Sequence, residues 1–107
     1  EHDVLACFER AAHISERWVT HTVDELLALE PAADERMGFM ETQLAWEDSR
    51  DADCEFIHEK SESEQTADLK QAQCLLSHNL ARLEKLEGYL CDLYEASDCN
   101  SADVTSP

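Results

Sequence analysis

The sequence predicts an all-α protein, an antiparallel up-down-up bundle of three helices. Apolar residues recur at three- and four-residue steps through three long segments. Two glycines and two prolines are too few for the turns of a sandwich or barrel. Two short polar connections separate the segments, so consecutive helices lie side by side and antiparallel. The 107 residues suit one domain. The reading places a single bundle over residues 1–96 and a flexible tail or linker over 97–107, where no period remains.

The first helix is expected over about residues 2–29, with a stripe that includes Leu5, Phe8, Ala12, Ser15, Trp18, Val19, Thr22 and Leu26. Glu30-Pro31-Ala32 breaks it, because proline cannot continue a helix but suits the first turn of the next. The second helix, about 32–60, carries a thin stripe of Met37, Met40, Leu44, Cys54 and Ile57 around a nearly all-polar middle. A polar turn follows, in which Ser61 with Glu64, or Thr66 alone, can cap the next helix. The third helix, about 66–96, is the clearest: Leu69, Leu76, Leu83 and Leu90 are spaced by seven, with Ala72, Asn79, Leu86 and Leu93 three residues after each. The expected core is Leu5, Phe8, Trp18 and Leu26 from the first helix and Leu69, Leu76, Leu83, Leu86 and Leu90 from the third.

Charge narrows the function. With 25 acidic against 8 basic side chains the formal charge is −17. Such a surface repels phosphate backbones and anionic lipid headgroups, so neither nucleic acid nor a membrane surface is an expected partner. No apolar run is long enough for membrane insertion. The segment Glu47, Asp48, Asp51, Asp53 and Glu55 is the best interface candidate, an acidic face for a protein partner with a basic segment. Self-association through the leucine heptad, with Asn79 setting register, is a second use of the third helix.

Leu5-x-x-Phe8-x-Arg10, then Trp18-Val19 and Leu26-Leu27, resembles the opening helix of a spectrin repeat. The resemblance implies a three-helix left-handed coiled coil with the helix-A tryptophan in its core. It also implies a cytoskeletal, nuclear-envelope or signalling scaffold without catalysis. The second helix departs from that pattern by its thin apolar stripe and by Trp46, and the third by leucines where an aromatic is usual.

The most specific chemical pattern is a duplicated one, Cys54-x-x-x-His58 and Cys74-x-x-x-His78. Residues four apart share a helix face, so a hairpin turning near residue 66 would set four ligands for a Cys2His2 zinc site between the second and third helices. A turn near residue 64 would instead face Cys54 with Cys74 as a disulfide. Cys91 and Cys99 can pair if the tail folds back. The odd count of five cysteines favours a reducing compartment and thiols that fill the core. Glycine-rich phosphate loops, nucleophile elbows and the His-Glu-x-x-His pattern are absent from the sequence, and no enzyme activity or cofactor is expected. The leading expectation is therefore an intracellular, cytoplasmic or cytoskeletal interaction module. The alternative is a secreted, disulfide-braced helical ligand or effector that binds a receptor.

Overall fold

A computed structural model describes residues 2–94. They form α1 (His2–Leu29), α2 (Ala33–Lys60) and α3 (Glu64–Leu93), with no strand among the described residues. The all-α three-helix class is the one the sequence predicts. The segment 97–107, read as a tail, lies outside the described residues.

The polar middle of α2 does not interrupt it; the helix runs unbroken through Glu47–Asp53. Its first turn holds Asp34 and Glu35 and its last turn His58 and Lys60, complementing the helix dipole at both ends. Arg36 Nη1 reaches back to the carbonyls of Glu30 and Pro31 at 2.8 and 2.9 Å, which fixes the corner between α1 and α2. At the second corner the N-cap is Ser63, not Ser61 or Thr66: the Ser63 hydroxyl accepts from the Thr66 amide at 3.2 Å. Ser61 closes α2 instead, its hydroxyl donating to the Ile57 carbonyl.

Helix α3 is the shared partner, packing along both α1 and α2. Against α3, α1 buries Ala12, Ser15, Val19, Thr22 and Leu26, alternating steps of three and four that keep one seam facing its neighbour. The small side chains of Ala12, Ser15 and Ala72 let these two backbones approach closely. The α1 and α2 backbones stay farther apart, and the larger Phe39 and Trp46 span the gap to the apolar cluster of Val19, Leu26 and Leu86.

Several core expectations are corrected. Leu26 and Leu86 are buried, Leu86 completely, and Leu83 and Leu90 pack against their cluster. Leu5, Phe8, Leu69 and Leu76 are only half-buried. Trp18 is not core at all: it is 57% exposed, because it stands one residue, about 100°, off the seam through Val19. The stripe read in α2 is also outside, with Met37 63% exposed and Met40 and Leu44 in solvent. The side of α2 that turns inward carries Phe39, Gln43, Trp46, Arg50 and Cys54, and two of those five are polar.

Candidate functional site

The α2–α3 hairpin has one register, legible in its side-chain contacts. His58 meets Asp68, Cys54 meets Cys74, Arg50 meets Asn79, Gln43 meets Arg82 and Phe39 meets Tyr89. This is the hairpin that turns near residue 64, and it produces a Cys54–Cys74 disulfide with Cα atoms 5.6 Å apart. Cys54, 1% exposed, lies beneath the bond, and Cys74 is half-buried. The reading of these cysteines as reduced core-fillers is corrected accordingly. Cys91 is disulfide-bonded as well, while Cys99, the partner weighed for it, lies outside the described residues. Cys7 is a free, exposed thiol.

The same register undoes the Cys2His2 arrangement. The two sulfurs are bonded to each other and offer no thiolate. His58 turns to Asp68, Nε2 to Oδ1 at 3.0 Å, one level away from the disulfide. His78 stays beside it, with Nε2 2.7 Å from Asp53 Oδ2, and the same carboxylate oxygen is 3.9 Å from Cys74 Sγ. Cys54, Cys74 and His78 are thus brought together, with Asp53 in the place expected for His58.

A buried polar layer lies next to the disulfide. Asn79 donates to the Ala12 carbonyl at 3.2 Å and to the Ser15 hydroxyl at 3.0 Å, and its own carbonyl accepts from Arg50 Nη1 at 3.0 Å. One side chain therefore joins all three helices. Arg82 gives two hydrogen bonds to Gln43 Oε1, and the guanidiniums of Arg50 and Arg82 stand 4.9 and 5.6 Å from the Trp46 ring. Burial lowers the Arg82 pKa from its ordinary value, against the opposing influence of Tyr89. Sequence reasoning assigned Asn79 a register role in a dimer; here it acts within one chain. Gln43 and Arg50 were missed because polar residues at helical spacing read as a solvated face. The signal that could have found them is that each stands in step with Trp46 and Cys54.

The outward side of α2 is a two-part stripe. At 100° per residue, Met37, Leu44, Asp48, Asp51 and Glu55 fall within an arc of about 60°, with Met40 at its edge. All six are exposed. The apolar half comes first along the helix and the acidic half second. Of the five acidic interface candidates, Asp48, Asp51 and Glu55 belong to this stripe. Glu47 is half-buried at its flank, and Asp53 faces α3 to hold His78. Asp51 is further positioned by Arg50 Nε at 2.9 Å. At the α1–α2 corner an open groove of about 360 Å³ is lined by Leu26, Phe39, Tyr89 and Leu93, with Glu35 and Arg36 at its side. Glu35 is held above the usual carboxylate range, first by the charge of Glu30 and then by their shared hydrogen bond.

Residues 1–86 match the model of a family described as lysozyme inhibitor LprI. The chain belongs to the LprI family. No curated protein and no solved structure matches it. The LprI match runs through α1, α2 and α3 as far as the fully buried Leu86. It overturns the spectrin resemblance and with it the scaffold reading. The spacing that suggested spectrin is the seam of any helix in an antiparallel bundle, and Trp18, which that comparison requires inside, is outside. A family of inhibitors has a non-enzymatic role and a protein partner. The intracellular, cytoplasmic or cytoskeletal location is corrected by the same match together with the Cys54–Cys74 bond. Disulfides persist in secreted and periplasmic proteins and are rare where thiols are kept reduced.

Proposed function

We propose that this chain inhibits lysozyme by binding it, outside the reducing cytoplasm, without chemistry of its own. The observation that carries this reading is the LprI family match over residues 1–86. The secreted, disulfide-braced effector is the form of the sequence reading that agrees with it. The outward stripe of α2 is the surface we assign to the enzyme. Met37, Met40 and Leu44 supply flexible apolar contact, and Asp48, Asp51 and Glu55 supply charge opposite to that of a basic lysozyme. The net charge of −17 steers such an encounter from a distance and raises the association rate more than the affinity.

The test is lysis of a bacterial cell-wall suspension by a basic lysozyme, with and without the oxidised chain. Inhibition saturating at a fixed molar ratio, accompanied by a complex in titration calorimetry, is the expected result. Undiminished lysis at large excess of the chain rejects the function. Reversing three charges together, Asp48→Lys, Asp51→Lys and Glu55→Lys, is expected to slow association at least tenfold. Unchanged kinetics in that variant, with inhibition intact, rejects the surface and keeps the function.

A further inference from the structure

We propose that, in its dithiol form, the chain holds one zinc-like divalent cation with Cys54, Cys74, His78 and Asp53. The Cys54 and Cys74 sulfurs and a His78 ring nitrogen lie within 4.8 Å of one another. Asp53 Oδ2 is 2.7 Å from His78 Nε2 and 3.9 Å from Cys74 Sγ. Two thiolates, an imidazole and a carboxylate are ligands a borderline-soft cation accepts. With bonds of about 2.0–2.3 Å, tetrahedral ligand atoms stand about 3.3–3.8 Å apart. The Asp53–His78 and Asp53–Cys74 contacts are therefore within about an ångström of a closed site, and closing it further requires the two sulfurs to part. Cys74 and His78 sit one helical turn apart on the half-buried side of α3, where rotamer changes make that adjustment.

Crosslink and ion exclude each other. A dithiol reductant attacks the more accessible Cys74 sulfur, the Cys54–Cys74 bond breaks, and Cys54 leaves as a thiolate. The second thiol of the reductant then displaces Cys74. The reductant ends as its own disulfide, and two electrons have passed to the chain. The cation binds the two cysteine sulfurs as thiolates, and the thiol protons go to solvent. A disulfide-bearing oxidant reverses the exchange and expels the ion. Either state links α2 to α3 through the two cysteines; the metal-free dithiol state keeps the hydrogen bonds between them but not that link. The geometry involves none of the outward α2 stripe, so the inference stands apart from the lysozyme reading.

The experiment is an anaerobic Co²⁺ titration of the full chain, oxidised and phosphine-reduced, followed by displacement with Zn²⁺. One Co²⁺ per reduced chain, with the absorption of a tetrahedral thiolate complex, is expected, and none for the oxidised chain. Reduction also frees the Cys91 thiol, so variants locate the ion. Cys7→Ser is expected to bind as the parent does, His78→Ala to lose at least tenfold in affinity at unchanged helicity, and Asp53→Asn to weaken binding. Zinc is expected to raise the melting temperature of the reduced parent more than that of the reduced His78→Ala chain at the same zinc concentration. Absence of the tetrahedral spectrum, or a spectrum and affinity that His78→Ala and Asp53→Asn leave unchanged, overturns the site.

Discussion

At the scale of single residues, the polar layer is the least replaceable part of the interior. Asn79 is 1% exposed and serves Ala12, Ser15 and Arg50 at once. Asn79→Ala leaves the Arg50 group without its acceptor and opens a gap among three helices, with an expected loss of about 2–3 kcal/mol in urea unfolding. Arg82 is a different case. It is 8% exposed and among the described residues has no carboxylate partner, its contacts being Gln43 and the Trp46 ring with Tyr89 acting on its charge. Its charge was desolvated without full compensation, but Gln43 would be stranded by its loss, so Arg82→Met combined with Gln43→Leu is expected to be neutral or stabilising. A loss of several kcal/mol would show that the guanidinium holds the Gln43 side of α2 in place. At the first corner, the raised Glu35 carboxyl means that the folded chain binds its proton more readily than the unfolded chain. Stability from this group therefore falls as pH rises from the ordinary carboxylate value through the raised one. Glu35→Gln is expected to melt higher than the parent at neutral pH and level with it in acid. A constant offset across pH would locate the effect outside the Glu30–Glu35 repulsion.

At the scale of elements, α2 decides how much was legible. The existence of all three helices could be read from periodicity and from the two polar corners, because those signals are local, but α3, expected over about 66–96, runs Glu64–Leu93. The inward side of α2 could not. Its seam spends two positions on Gln43 and Arg50, while Met37, Met40 and Leu44 repeat as a core stripe would and face water. A pattern rule assigns the apolar side inward, and here that assignment is inverted. Trp18 failed for a related reason: both it and Val19 fit a stripe, and only the position of α3 selects between them. Of the candidate site, the Cys54–Cys74 pairing is legible in the sequence as one of two registers. Nothing in composition chose between them; the cap at Ser63 set the turn and therefore the register. Two predictions belong here. Ser63→Ala removes the hydroxyl that caps α3 and is expected to cost about 1 kcal/mol by thermal or urea unfolding. Gly38 lies inside α2 with open space around it, so Gly38→Ala is expected to stabilise by about 1 kcal/mol.

At the scale of the whole molecule, the charge of −17 acts on stability as well as on partners. Self-repulsion opposes compaction, and added salt screens it over about 10 Å at 0.1 M. The melting temperature is expected to rise with sodium chloride, while association with a basic lysozyme slows over the same range. Opposite responses to one variable separate the two roles of the same charges. A melting temperature that fell with salt would mean that the ion pairs of Arg50 outweigh the general repulsion.

The Cys54–Cys74 bond ties α2 to α3, whereas α1, whose Cys7 is free, is held to its neighbours by packing, by the hydrogen bonds from Asn79, by the Arg50–Glu16 pair and by one short link at its end. Helix α1 can therefore leave as a unit without any covalent bond breaking, while α2 and α3 cannot separate. Native-state amide exchange should show two tiers, with the α1 amides opening by a partial undocking and the amides around Cys54 and Asn79 exchanging only with the entire fold. The stripe of Asp48, Asp51 and Glu55 rides on the slower tier, so an enzyme gripping that stripe would stay held through excursions in which the whole of α1 has come loose.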